Sequence, residues 1–343
     1  MRRVVRVRLI VAATLVVGLG GLALGQTPRQ HRLNPVIGLL EQKLPVFGLY
    51  APSSRRFPGG APPGPGQVAA AVQLPDKTPA ELAKESLGYT LSDFVVDGSM
   101  EGNFERGYAT FSAFAKAMGQ QGIVTMGPAP RLHHPLIVKA PEIAPDPAKV
   151  GAQIGQQLNL GVSGVMFVGV ESADEVRQGL AAMRFASKGG TRRDEVGDAP
   201  AMWGLSEADY KAKADLWPLN PDGELINWTI VESKAGLAKV REIAAVKGIG
   251  VLWPGAGTLR QVFSTTDTSG KRAVDEAGWE AAIQQVLAAC REFNVPCGYP
   301  VNANDIEMRM KQGFSVFVMN WGEAGFKTID IGRKLAGRTD TSQ

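Results

Sequence analysis

Cysteine is nearly absent from this chain, with only Cys290 and Cys297 among 343 residues. Two thiols cannot make a disulfide framework. One falls near the end of an apolar helix pattern and the other in the strand pattern that follows, where both read as small core residues. A bridge between them is open only in an oxidising compartment. Also missing are Gly-x-Ser-x-Gly, His-Glu-x-x-His and a phosphate-binding loop. Their absence argues against nucleophile-elbow hydrolases, zinc proteases of that motif and P-loop nucleotide enzymes. An excess of one charge is lacking too, once the N-terminus is set aside. The chain has 37 basic and 33 acidic side chains, and four of the arginines lie within the first eight residues, so the balance beyond them is 33 against 33. The basic pI therefore belongs to the leader. No stripe of basic residues interleaved with aromatics replaces it, and nucleic acid is not expected as a partner.

What is present begins with that leader. Residues 1–8 carry four arginines and no acid, and residues 9–25 form an apolar and small-residue run ending Ala23-Leu24-Gly25 before Gln26. A basic start, a short apolar stretch and small residues at its exit describe a secretory signal peptide over 1–25. An uncut membrane anchor is the competing reading, and at 17 residues the run sits at the short edge for spanning a bilayer. The expected location is exported, in the periplasm or secreted. The remainder, 26–343, is long enough for one large core.

Short apolar runs rich in Val, Ile and Phe recur over 46–51, 94–99, 135–140, 164–170, 226–232, 250–254, 296–301 and 315–320. Each is bounded by Gly, Pro, Asp or Asn, as strands are. Helical patterns lie between them, over 80–87, 105–120, 147–160, 173–185, 235–246, 276–293, 305–312 and 326–335. Apolar strands alternating with helices predict a parallel sheet covered on its outer face. Eight such units close most naturally into a (β/α)₈ (TIM) barrel. No Gly-x-Gly-x-x-Gly follows an early strand to favour an open dinucleotide-binding sheet. Two segments interrupt the rhythm. The Pro/Gly-rich insertion 52–66 follows the first strand, on the side where a barrel builds its sites, although a segment without a role is an equal reading. The stretch 186–224 is too long to lack structure, and 207–214 within it reads as a short helix.

Specific residues in this frame resemble the HpcH/HpaI aldolase/citrate lyase family. Pro45-Val46-Phe47-Gly48-Leu49 is similar to that family's opening strand, and Gly164-Val165-Met166 through Val170-Glu171-Ser172-Ala173-Asp174-Glu175 to its fourth strand and helix. Arg184-Phe185, Gly190-Thr191-Arg192, Trp203-Gly204 and Tyr210 resemble the long segment that comes next. Asn220-Pro221-Asp222-Gly223-Glu224 then leads into Ile230-Val231-Glu232-Ser233, similar to the fifth strand. Val295-Pro296-Cys297-Gly298 and Gln312-Gly313-Phe314 resemble the last two units. The likeness runs in order over residues 34 to 337. It implies a metal-assisted carbon–carbon lyase. In that chemistry a divalent ion such as Mg²⁺ or Mn²⁺ holds a 2-oxo acid through its ketone and carboxylate oxygens and stabilises the enolate. The resemblance also implies a homo-oligomer, in keeping with the wide apolar face of 276–293.

The family's site carries over unevenly. Glu232 matches its glutamate metal ligand, and period-two alternation puts Ile226, Trp228, Ile230 and Glu232 on one strand face, with the carboxylate at the barrel mouth. A salt bridge to a nearby lysine is the alternative role for Glu232. The second ligand, an aspartate after the sixth strand, corresponds to glycine in Pro254-Gly255-Ala256-Gly257, a stretch that would still border the substrate. The histidine base corresponds to Met100 in Asp97-Gly98-Ser99-Met100, where Asp97 stays as a catalytic candidate. Lys139 stands where an arginine clamps the substrate carboxylate; it keeps the charge and loses the bidentate fork. Glu101 and Glu171 are weaker substitutes for the missing acids. His133 and His134 read as residues of a surface loop at the opposite face, and Trp321 as a packed rim residue. Three functions follow from these residues. The first is a metal-dependent carbon–carbon lyase on a 2-oxo or hydroxy acid. The second is a non-catalytic small-acid-binding protein in the periplasm. The third is a metal-free enzyme using Lys139 as Schiff-base nucleophile, which requires a depressed lysine pKa.

Overall fold

Alternation along each strand decides this architecture. In the computed structural model the described residues are 32–55 and 75–338, apart from 267, 269 and 271. The leader over 1–25 and residues 56–66 of the Pro/Gly-rich insertion lie outside them. Eight strands carry the core: β1 (Val46–Tyr50), β2 (Phe94–Asp97), β3 (Leu136–Lys139), β4 (Gly164–Phe167), β5 (Leu225–Val231), β6 (Val251–Pro254), β7 (Gly298–Pro300) and β8 (Val316–Met319). Parallel ladders join them in chain order from β1 to β6, and β8 lies between β1 and β7. The remaining junction, β6 to β7, is a single parallel bridge between Leu252 and Cys297, with the Leu252 N–H donating to Pro296 O at 2.9 Å. That bridge closes the (β/α)₈ barrel.

Two separate cores follow from the period of two. Val46, Phe94, Val96, Ile137, Met166, Val168, Ile226, Trp228, Ile230, Val251, Trp253, Val316 and Val318 point inward and form the inner cluster. Their strand neighbours Phe47, Val95, Val138, Val165, Leu252 and Phe317 point outward into the helices. The interior is filled rather than hollow. Trp228 stacks on Trp253 with centroids 5.5 Å apart and meets Phe94 edge-on at 5.1 Å, contacts that add about 0.5–1.5 kcal/mol each beyond area burial. This aromatic layer fits because Gly48 and Gly298 face it. A Cβ at Gly48 would lie 2.1 Å from the Phe94 ring, and one at Gly298 would lie 1.9 Å from Trp253.

Helices cover the outside: α2 (Pro79–Gly88), α3 (Phe104–Gln120), α4 (Pro147–Asn159), α5 (Ala173–Met183), α6 (Glu276–Phe293), α7 (Ile306–Gln312) and α8 (Glu323–Leu335), with the short pair Lys234–Ala238 and Val240–Ala244 after β5. Local sequence starts them. Thr78 and Glu81 form a capping box ahead of α2, and Asn103, Asp146 and Ser172 each accept a backbone N–H at the head of the next three helices. A helix before the first strand, α1 (Pro35–Glu41), adds Val36, Ile37, Leu39 and Leu40 to the inner cluster and plugs the strand-start end of the barrel. It is fastened there by Glu224, whose carboxylate accepts the N–H of Leu33 and of Asn34 immediately before β5. The segment 186–224 contains the helix Glu207–Lys213, as its pattern predicts.

Two expectations need correction. His134 is not a surface residue. It is buried, with Nε2 hydrogen bonded to Tyr89 O at 2.9 Å, while His133 bonds Thr125 on the exposed side. The cysteines are not two independent core thiols either. Cys290 and Cys297 form a disulfide with Cα atoms 5.7 Å apart, joining the end of α6 to the approach to β7. Their helix and loop had already to bring these positions together so that Val295 N–H could donate to Cys290 O. Because Cys297 also makes the closing bridge to Leu252, the disulfide braces the thinnest seam of the barrel. Replacing both cysteines with alanine is expected to lower unfolding stability by about 2 kcal/mol, the scale for so short a covalent loop. Urea unfolding checks this. A midpoint equal to that of the wild type, with and without reductant, would contradict it.

Candidate active site

The C-terminal ends of the strands open on one face, and the alternation fixes which residues meet there. Continuing each inward series gives Tyr50 after β1, Gly98 after β2, Lys139 on β3, Val168 after β4, Glu232 after β5, Gly255 after β6, Pro300 on β7 and Asn320 after β8. Among these positions Lys139 is the one cation and Glu232 the one carboxylate.

Glu232 is held in a defined pose. Its Oε1 accepts the Gly169 N–H at 2.9 Å. A Cβ at Gly255 would come within 2.5 Å of Oε2 and 2.4 Å of the Glu232 Cβ, so the carboxylate lies over a glycine and any larger residue would displace it. Since a Cβ at Gly255 would point into the mouth, Oε2 is on the mouth side. Gly257, in the first turn of the helix Ala256–Val262, has open space around its Cβ position. Ala256 is turned into the outer core, and its carbonyl accepts the Trp279 indole N–H at 2.9 Å. Of these three positions, then, Gly255 underlies the carboxylate, Gly257 borders free space, and Ala256 faces away.

Lys139 is engaged from the side. Its ammonium donates to Glu101 Oε2 at 2.7 Å, across Gly98, whose Cβ would touch the lysine stem at 3.4 Å. Burial works to lower the Lys139 pKa. The Glu101 hydrogen bond and the nearby charges of Tyr50, Glu101 and Glu232 outweigh it, so the group sits above the ordinary lysine value. The Tyr50 phenol is also raised. Burial is the main cause, Lys139 pulls it down, and Glu101 and Glu232 push it up, which leaves Tyr50 a protonated hydroxyl at neutral pH.

The loop between β2 and α3 explains how Glu101 arrives there. Asp97, on the outward register of β2, accepts the backbone N–H and hydroxyl of Ser99. Burial raises its pKa and the Ser99 hydrogen bonds oppose the rise. Asp97 therefore shapes a turn and does not line the mouth. Met100 is fully buried in the outer core, where Gln157 Nε2 reaches its sulfur at 3.4 Å and Lys139 O at 3.0 Å. With Met100 anchored behind the loop, the next side chain, Glu101, projects over Gly98 to Lys139. Glu171 bonds the Ser233 hydroxyl at 2.6 Å, and Trp321 packs on Tyr89 and Phe326 at the rim.

This donor set bears directly on a metal. Among the described residues, no three His, Cys, Asp or Glu side chains gather as a metal-ligating group. Glu232 Oε2 is a single hard oxygen at the open side of the mouth. That fits an ion completing its shell with water and substrate oxygens, as Mg²⁺ does, and does not fit one caged by protein. Tyr50 went unremarked in the sequence, although it lies two residues beyond Gly48 on the same strand face. Glu101 sits in a loop, where no periodicity marks direction.

A closed parallel barrel with charged strand ends at its C-terminal face defines the class of architecture. The HpcH/HpaI aldolase/citrate lyase family model matches residues 127–327, more than half of the chain, and the protein belongs to that family. Solved structures agree on the fold. An HpcH/HpaI aldolase/citrate lyase family protein from Burkholderia cenocepacia is 18% identical, covers 89% of this chain and 96% of its own, and has a TM-score of 0.57. An HpcH/HpaI aldolase from Desulfitobacterium hafniense is 13% identical over 89% and 97% of the two chains, also at 0.57. Macrophomate synthase is 16% identical over 89% and 87%, at 0.53. No curated protein matches the sequence.

Against burial, the Glu101 contact holds Lys139 above the ordinary lysine value, opposite in direction to the depression that a Schiff-base nucleophile requires. Borohydride added to the protein with excess pyruvate is expected to leave its intact mass unchanged. A reduced adduct mapped to Lys139 would contradict this.

Proposed function

We propose that this protein is a carbon–carbon lyase of the aldolase type, cleaving or condensing a small 2-oxo or hydroxy acid at the barrel mouth. The observation that carries the reading is the placement of Lys139 and Glu232 on strand ends β3 and β5, both facing into one opening. Lys139 is the anchor for the substrate carboxylate. As a point charge it fixes distance more than orientation, because it lacks the planar fork of arginine. Glu232, fixed by Gly169 and Gly255, would hold a divalent ion such as Mg²⁺ or Mn²⁺ that polarises the substrate ketone when bound. Tyr50 stays protonated beside them and offers a hydrogen bond to a developing oxyanion.

Placement outside the cytosol and assembly as a homo-oligomer belong to the same proposal. The Arg-rich leader supports export, and the Cys290–Cys297 bridge suits an oxidising compartment. The alternative is a small-acid-binding protein without turnover. It is favoured by Gly257 and Met100, which replace an acid and a histidine at the centre of the site.

Calorimetry with oxalate, in Mg²⁺ and in chelator, tests the lyase reading. Wild type is expected to bind oxalate more tightly in Mg²⁺. Glu232→Gln, which keeps the volume and removes the charge, should lose that difference, a change of about tenfold or more in affinity. Gly257→Asp, placed in free space, should gain metal affinity. Equal oxalate binding in chelator by wild type and Glu232→Gln would remove the metal from the proposal and favour the binding protein.

A further inference from the structure

The contact between Glu101 and Lys139 is unusual for a substrate anchor, because it is already made. A lysine meant to receive a carboxylate is holding one supplied by its own chain, at 2.7 Å. The two partners are unequal. The Lys139 side chain is 18% exposed and the Glu101 side chain 37% exposed, so the acid is the one with room to leave. Its backbone stays in place: the Glu101 N–H donates to Gly98 O, Met100 before it is buried, and Asn103 after it caps α3. Only the side chain has to swing.

We infer that Glu101 is an internal carboxylate that keeps Lys139 occupied until a substrate carboxylate displaces it, and that the displaced Glu101 then acts as the base at the mouth. This rests on the reading of Lys139 as the substrate anchor. The chemistry that would recognise the site is a small 2-oxo acid. Its carboxylate exchanges with that of Glu101 on Lys139, an ion pair for an ion pair. Glu101, released within side-chain reach of the bound acid, accepts a proton from the carbon next to the ketone. The C–H electron pair passes into the enolate, and Glu101 returns a proton to the same carbon in the reverse step. No oxidant, reductant or second reactant is needed. The arrangement supplies a base where Met100 has taken the place of a histidine and turned away from the mouth.

The inference predicts opposite changes in two measurements on one variant. Glu101→Gln, which removes the charge and keeps the size, should bind oxalate about two- to fivefold more tightly than wild type, the range for releasing a partly exposed ion pair. The same variant should exchange the methyl protons of pyruvate for deuterium, followed by NMR in D₂O, about a hundredfold more slowly. Glu171→Gln is the control for general charge, since Glu171 lies on the same face and bonds Ser233. It should leave oxalate affinity as in wild type. Lys139→Met should abolish oxalate binding.

Each contrary outcome falls on a particular claim. If Lys139→Met abolishes binding while Glu101→Gln leaves it unchanged or weaker, the internal carboxylate is wrong and the anchor survives. Equal tightening by Glu171→Gln would also overturn the internal carboxylate. Exchange at the wild-type rate in Glu101→Gln, or no exchange in wild type, overturns the base. Oxalate binding that persists in Lys139→Met overturns both the inference and the proposed function beneath it.

Discussion

The site depends on inward–outward alternation in a parallel barrel that closes through a single bridge. The direction of a strand's last side chain follows from every residue before it, because a slip of one position would send the whole inner set outward. For β5 this register is held at both ends. Glu224 ties the strand start to the plug helix α1, and Glu232 at the other end is pinned between the Gly169 amide and the bare surface of Gly255. The Trp228–Trp253–Phe94 layer between these ends closes the interior beneath the mouth. Glu232 therefore stands half-buried above a packed floor.

Two charged side chains, Lys139 and Glu232, set the electrostatics of the mouth. Glu101 is paired with Lys139, Glu232 accepts the Gly169 amide over Gly255, and Gly257 has open space at its Cβ position. A small acid approaching that surface meets no free cation at the inward strand-end positions. On the proposed function it must take Lys139 from Glu101, and a divalent ion would offset Glu232.

Much of the fold could be read from sequence because eight apolar runs and their intervening helices each obey a local period. Alternation puts Glu232 on the inner face of its strand, and the family resemblance puts Lys139 at the end of the third, and in the structure both continue an apolar inner series. Other features had no such signal. Glu101 is set by Met100 anchoring the loop from behind, and Met100 in turn by Gln157 on α4. Asp97 is a catalytic candidate through the family resemblance, but it stands on the outward register of β2 and serves Ser99. The disulfide needed the spatial meeting of a helix end and a strand start. The burial of His134 needed Tyr89, 45 positions away along the chain.

The most direct test of the account is a crystal structure of the protein with oxalate at saturating concentration. The account predicts a carboxylate oxygen of oxalate within hydrogen-bonding distance of Lys139 Nζ, with the Glu101 side chain swung off the lysine and Glu232 unmoved over Gly255. Oxalate bound elsewhere, or bound at the mouth with the Glu101–Lys139 pair intact, would contradict it.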